Sequence, residues 1–317
     1  MAYSAGDAIL DDEYNAFVGS STDPFGYNHF AGAGSGEYGL NQSSISTVSA
    51  GDAIAASSWN ALFTGLDNIA NHTNVSITSS SVSAGDDIAI RSALIGDLAN
   101  LAAAVAGGST GATAIGTNAV GSSTNSATWN STSTIERSVT FANNNTMRAF
   151  FNAGGFIRID PSCVTGIDGT KDDVYNTITT GAIGNLDLKA QSSVRSGSGE
   201  TLTTNGLANG FHNLGTSYTE IIKITSDNSG YTGNNVSIQA KLNAAVGSAT
   251  VLTIKMVATD GASDTQYTSG NLDSIPTNPN EAPRMTLALI EHHPTDAQGL
   301  AAAIQAASNA EVSNSTS

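Results

Sequence analysis

The sequence predicts an α+β protein: short amphipathic helical repeats at the N-terminus, a Gly/Ser/Thr linker, and a mainly antiparallel, β-sandwich-like domain at the C-terminus. Three observations carry that expectation. A Ser-Ala-Gly-Asp motif occurs at residues 4–7, 49–52 and 83–86, each time ahead of apolar residues at helical spacing. Residues 108–135 are dominated by Gly, Ser, Thr, Ala and Asn and read as a linker or as extended chain laid along a neighbour. Beyond them, short alternating or β-branched runs are bounded by Asn, Gly, Asp and Ser, the pattern of strands joined by polar turns. Four regions follow: a helical repeat and docking region over 1–107, a low-complexity linker over 108–135, a β-rich domain over 136–295, and a short helix with a polar tail over 296–317.

The repeat extends past the shared tetrapeptide. Ser4-Ala5-Gly6-Asp7-Ala8-Ile9 and Ser49-Ala50-Gly51-Asp52-Ala53-Ile54 are followed, seven residues after the Asp, by Tyr14-Asn15-Ala16-Phe17 and Trp59-Asn60-Ala61-Leu62. The third copy reads Ser83-Ala84-Gly85-Asp86-Asp87-Ile88. The copies are spaced by 45 and then 34 residues, so they are variants of one turn-plus-helix unit and not a solenoid of fixed period. Gly makes the turn, and Ser or Asp caps the helix that follows; ahead of Trp59 the expected cap is Ser57 or Ser58. Trp59, Leu62, Phe63, Leu66 and Ile69 then form one apolar stripe, and Leu94, Ile95, Leu98, Leu101 and Val105 another. Asn71 to Asn74 and Gly107-Gly108 supply the stops. Helices of about four or five turns are marginal alone in water, so these stripes must meet each other or another chain. Trp59, Leu62, Phe63 and Leu66, with Leu94, Leu98 and Leu101, are therefore the candidate protein-interface residues. Burying a side chain of this size contributes about 1.5–3 kcal/mol.

The β-rich region opens at Val139-Thr140-Phe141. Asn143 to Asn145 can cap a short helix through Met147, Phe150 and Phe151, which Gly154-Gly155 ends before Phe156-Ile157-Arg158-Ile159 alternates as a strand. Tyr218 to Thr225, Val236 to Leu242, Thr250 to Thr259 and Met285 to Glu291 are the later strand candidates, and Ala301 to Ala307 reads as a short Ala-rich helix. An antiparallel sandwich accommodates such a set.

Composition narrows the function classes. The chain carries 27 acidic and 11 basic residues, for a net charge of −16, yet only 12% of it is charged. Its 29 Asn against 5 Lys describe a surface hydrated by amides and hydroxyls. Scattered basic residues do not neutralise phosphates, so no nucleic-acid partner is expected. No run of about 18 apolar residues offers a membrane span, and Met1-Ala2-Tyr3-Ser4 lacks the basic head and apolar stretch of a secretory signal. The lone cysteine, Cys163, leaves no intrachain disulfide and no cysteine zinc cage.

Several motifs tempt. Gly34-Ser35-Gly36-Glu37-Tyr38-Gly39 fits the dinucleotide glycine spacing but has neither the strand before nor the helix after that would hold a pyrophosphate; no cofactor is expected. Gly107-Gly108-Ser109-Thr110-Gly111 has nucleophile-elbow spacing but follows a helix instead of a strand. His292-His293 has no third ligand at metal spacing, so it reads as a surface or interface pair. Asp168 to Asp173 and Asp260 to Asp264 loosely resemble calcium loops, yet neither has a known loop's spacing and Lys171 opposes one of them. They read as polar turns, and no metal is expected. Trp59 and Trp129 could stack on sugars, but Trp59 is better used as the anchor of its stripe. No acidic pair for glycan cleavage is visible, and no catalytic residue is expected.

Two stretches carry a resemblance. One is Tyr38-Gly39-Leu40-Asn41-Gln42-Ser43 leading into Val48-Ser49-Ala50-Gly51-Asp52-Ala53-Ile54 and Ser58-Trp59-Asn60-Ala61-Leu62. The other is Val139-Thr140-Phe141 followed by Met147-Arg148-Ala149-Phe150-Phe151-Asn152-Ala153-Gly154-Gly155-Phe156-Ile157-Arg158. Both resemble virion structural proteins, tail- or neck-associated and fibre-like, of contractile-tailed marine cyanophages, over roughly residues 1 to 160 and more loosely to about 290. The resemblance implies a non-enzymatic component of a tailed bacteriophage virion, assembled in the host cytoplasm. It implies a homo-oligomer, trimer or ring, that docks on other tail or neck proteins. Met147 and Phe150 depart from the pairing typical there. The low charge fits independently, since surface covered by neighbours needs few solvating ions. A host-surface glycan receptor module over residues 136–317 and, more remotely, a polysaccharide depolymerase are the other expectations.

Overall fold

A computed structural model describes residues 11–20, 26–31, 43–73, 75–83, 91–106, 115–125, 129, 131–164, 170–261, 283–294, 306 and 308–316. The protein is mixed helix and strand, with two antiparallel sheets in its C-terminal region. It divides into two compact units: Met1–Gly116 with Asn144–Gly155 and His293–Gln305, and Thr117–Asn143 with Phe156–His292 and Ala306–Ser317.

The helical unit contains α1 (Asp11–Val18), α2 (Tyr27–Ala31), α3 (Ala56–Thr73), α4 (Arg91–Ala106) and α5 (Asn144–Asn152). Trp59, Leu62, Phe63, Leu66 and Ile69 of the first expected stripe and Leu94, Leu98 and Leu101 of the second form its core, whereas Ile95 is exposed. Trp59 on α3 meets Tyr14 edge-on at 5.2 Å between centroids, and lies 6.0 Å from both Phe17 and Phe63. Tyr27 lies across α3 where Gly65 leaves room, since a Cβ there would sit 2.6 Å from its ring. The cap is not where Ser57 or Ser58 was expected. The carbonyl of Ala55 accepts the first helical N–H groups, from Ser58 and Trp59, and both serines fall inside the first turn. Ahead of it the Asp52 carboxylate accepts the Ser49 N–H at 3.0 Å, with Gly51 at φ 88° completing the turn. α5 ends as its glycines require: Gly154 adopts φ 92°, and Gly154 and Gly155 donate to the carbonyls of Phe151 and Phe150.

The strand-rich unit carries both sheets. One runs β1 (Ile115–Thr124), β10 (Met285–Pro294), β3 (Phe156–Cys163), β4 (Leu186–Leu188), β5 (Ser193–Arg195). The other runs β11 (Ser308–Thr316), β2 (Thr132–Thr140), β9 (Val251–Thr259), β8 (Asn235–Leu242), β7 (Thr219–Thr225), β6 (Thr201–Asn205). Alternate residues of β3 and β10 are buried, as period-2 patterning demands. Helix α6 (Thr170–Asn176) continues into a π-helix, Thr177–Ile183, which touches β3 of one sheet and β7 and β8 of the other. Arg195 closes its far end by donating to the Ala182 carbonyl at 2.9 Å.

Three expectations change here. The region 108–135 is not a plain linker: β1 and the start of β2 lie in it. The polar tail expected within 296–317 contains a strand, β11, paired antiparallel with β2. The short helix expected over Ala301 to Ala307 falls, Ala306 apart, outside the described residues. Asp168 to Asp173 is not merely a turn, since α6 begins at Thr170. For β1 and β11 the physical reason is shared. Thr, Ser and Asn donate and accept ladder bonds as well as any residue, so a polar strand at a sheet edge leaves no apolar alternation to read.

Candidate functional site

The seven predicted interface residues are all in one place, but it is an interior. Trp59, Leu62, Phe63, Leu66, Leu94, Leu98 and Leu101 are each at most 5% exposed within their own chain. Within their own chain they are the core of the helical unit. Hydrophobic periodicity identifies a buried face without saying which chain buries it.

The same segment shows a device that the apolar pattern concealed. Asn15 donates to the Val48 carbonyl at 2.8 Å and accepts the Val48 N–H at 2.9 Å. Asn60, its counterpart in the second repeat, does the same to Val82, at 2.9 and 2.8 Å. Val48 and Val82 each immediately precede a Ser-Ala-Gly-Asp motif. Thus the amide in one repeat clamps the extended segment leading into the next. Asn28 clamps Ile45 likewise, at 2.9 Å for both bonds. In α4 the clamp is a carboxylate: Asp97 accepts the backbone N–H groups of Thr78 and Ser79 and the hydroxyls of both. Burial pulls the Asp97 pKa up, but these hydrogen bonds outweigh it and hold the carboxyl below its ordinary value.

The chemistry-bearing residues of the strand-rich unit are likewise tied into the structure. Lys171 is ion-paired with Asp260, both nearly inaccessible. Lys171 of one stretch that loosely resembled a calcium loop thus pairs with Asp260 of the other. Asp172 is fully buried beside them in sequence, and Cys163 is buried, its thiol pushed up to about 12 by desolvation and by the charges of Asp172 and Asp173. A thiol so held is a poor nucleophile. His292 and His293 are not a surface pair: His292 stacks on Phe156 at 4.3 Å between centroids. His293 is buried against Gly116, where a Cβ would sit 2.3 Å from Nε2, and burial lowers its pKa. Glu291 on the same strand is buried and its pKa raised by desolvation, although the Ala306 N–H donates to it at 2.8 Å. Trp129 is also withdrawn from sugar stacking, packed 5.3 Å from Tyr175 with its Nε1 donating to the Pro283 carbonyl. Among the described residues no group of three His, Cys, Asp or Glu is placed to hold a metal ion, and no helix is long and apolar enough to cross a membrane. The motifs at Gly34 to Gly39 and Gly107 to Gly111 lie outside the described residues.

Two surfaces remain. On α4, Ile95 is 52% exposed, and Gly96, Ala99, Asn100 and Ala103 share its outward side, an uncharged set. The outward side of α3 carries Thr64, Asp67 and Asn71 instead. On the six-stranded sheet, Lys255 and Lys241 place their ammonium groups 3.7 and 4.3 Å from the Tyr218 ring. Burial and the nearby Glu136 carboxylate push the Tyr218 phenol well up. Gln239 donates to Ser237, which donates to Glu220 at 2.8 Å. Reasoning from sequence missed this cluster, although the alternation Ser237, Gln239, Lys241 along β8 put its polar members on one face. The chain matches no protein-family model, no curated protein and no solved structure.

Proposed function

We propose that this chain is a non-enzymatic structural protein of a tailed bacteriophage virion, a tail-, neck- or fibre-associated component that assembles as a homo-oligomer and docks on partner subunits. The observation that carries the reading is the stretch from Ile95 to Ala103 of α4, whose exposed residues are all uncharged. A 16-residue helix that meets water with Ile95, Gly96, Ala99 and Ala103 leaves apolar surface for a neighbouring subunit to cover. The buried stripe first expected to dock is replaced in that role by the opposite side of the second of its helices. The charge-poor composition and the resemblance of the repeat and of residues 139–158 to cyanophage virion proteins support the same class. In this reading residues 11–106 act as helical docking repeats, and the two sheets, with α6 and the π-helix touching both, form a sandwich-like body. The test is Ile95→Glu with Ala99→Glu in the full chain. Native mass spectrometry should show the oligomer reduced to monomer, and a complementation assay should show lost particle incorporation. Unchanged mass and incorporation would remove α4 from assembly.

The Tyr218 cluster favours a second reading, a host-surface glycan module. Lys241 and Lys255 hold their ammonium groups over the Tyr218 ring and Glu136 lies beside it, so donors and an acceptor gather around one aromatic side chain. Glycan-array binding by the full chain, lost in Tyr218→Ala, would establish it.

A further inference from the structure

Among the described residues Arg148 is the largest fully buried side chain, 2% exposed, in a chain with a large excess of acid. Among the described residues no carboxylate lies within ion-pair distance of it. Its hydrogen bond is from Nη2 to Oδ1 of Asn145, at 3.0 Å, and its Nε is buried without a partner. A guanidinium cannot shed its proton in a protein, so this is a permanent cation withdrawn from water with one neutral acceptor. Such a group costs several kcal/mol unless an anion compensates it. Desolvation also depresses its pKa, the direction expected of an uncompensated cation.

Its position adds a second attraction for negative charge. Asn145 is in the first turn of α5, a nine-residue helix, so the guanidinium reaches back to the helix end where the macrodipole is positive. Asn145 is exposed, and with its Oδ1 taken by Arg148, its Nδ2 remains a donor to a ligand on the same side. A planar fork, an amide donor and a helix N-terminus are the elements of an oxyanion site.

We infer that Arg148 and Asn145, at the N-terminus of α5, form a binding site for a single oxyanion group, supplied as a free anion or as a side-chain carboxylate of a second copy of this acidic chain. The group carries two oxygens, one for the guanidinium and one for the Asn145 amide.

The experiment compares the full-length wild type with Arg148→Met, Arg148→Lys and Asn145→Ala. Thermal unfolding is followed in inorganic phosphate, in acetate and in chloride of matched ionic strength. A free-anion site predicts that phosphate or acetate raises the wild-type Tm by about 2–5 °C over chloride. The rise is abolished in Arg148→Met and reduced in Arg148→Lys and Asn145→Ala. A carboxylate from a second copy predicts no anion-specific rise, but an oligomer in sedimentation velocity that phosphate dissociates and that Asn145→Ala weakens at least tenfold. Asn145→Ala keeps the buried cation, so the comparison stands even if Arg148→Met does not fold. The inference is overturned if wild type and Asn145→Ala respond identically to phosphate, acetate and chloride and also sediment identically.

Discussion

In the helical unit, chain that belongs to no helix is held by side chains: Asn15 on Val48, Asn28 on Ile45, Asn60 on Val82 and Asp97 on Thr78 and Ser79. In the strand-rich unit the backbone is held by its own ladders, and polar side chains instead fix the edges and interior. Arg137, buried on β2, donates to Ser123 on β1 of the other sheet at 2.5 Å and to Asn309 on its own neighbour β11 at 3.1 Å. Arg158 on β3 holds Asp187 on β4, and Lys171 holds Asp260. Three of the four clamps in the helical unit are amides, acting where the backbone has no regular partner, whereas Arg158 and Lys171 pair with carboxylates where ladders already hold the chain. An amide can donate and accept on one peptide unit at once, which no cation can do. That explains why a protein with little charge can be rich in Asn.

This contrast can be broken at four points, taken in decreasing order of effect. Trp59→Ala removes the residue around which Tyr14, Phe17 and Phe63 gather. It should destabilise the helical unit by about 3–5 kcal/mol, seen as amide exchange across α1 and α3 while β8 and β9 stay protected. Equal loss of protection in both units would mean that they unfold as one. Lys171→Met leaves Asp260 buried without its counter-charge and should cost about 3–4 kcal/mol, this time confined to the strand-rich unit. A chemical-denaturation midpoint unmoved by Lys171→Met would show that the pair is not needed. Asn60→Ala orphans both polar groups of Val82 and should cost about 1–3 kcal/mol, with accelerated exchange at the Val82 amide as the specific mark; Asn60→Asp, which cannot donate, should lie between. The smallest effect is on pH. The Asp97 pKa is lowered in the fold, so its contribution is complete above its ordinary value of 3.8 and lost as pH falls through the folded value. The Glu291 pKa is raised, so its contribution is complete below 4.5 and lost as pH rises through the folded value. Acidification from pH 6 to 3 should therefore loosen α4 while easing the burial of Glu291. Glu291→Gln should raise Tm at pH 8 and leave it unchanged at pH 3.

Much of the fold was legible where apolar residues set a period. The stripe of α3, most of that of α4, the glycine-terminated α5, and the strands β3, β7, β8, β9 and β10 all follow from alternation or helical spacing. What escaped was built from Ser, Thr, Asn and Gly. β1 and β11 are polar strands that carry little of the core, and the short strands β4, β5 and β6 are set by their partners. The π-helix follows α6 without a break in the sequence pattern. The candidate surfaces were harder still. The period that located the stripe of α4 says nothing of its other side, where Ile95 stood as a member of the stripe and is in fact exposed. Arg148 was in view as one letter of a resemblance, and only its burial makes it chemically unusual.

Cys163 gives the molecule a built-in reporter. It is the single thiol, it lies at the end of β3, and it is shielded in the native fold. Ellman's reagent should modify it only when that region opens, so the labelling rate clocks the opening of the strand-rich unit. Amide exchange on α3 follows the other unit in parallel, and no cysteine need be engineered to compare them.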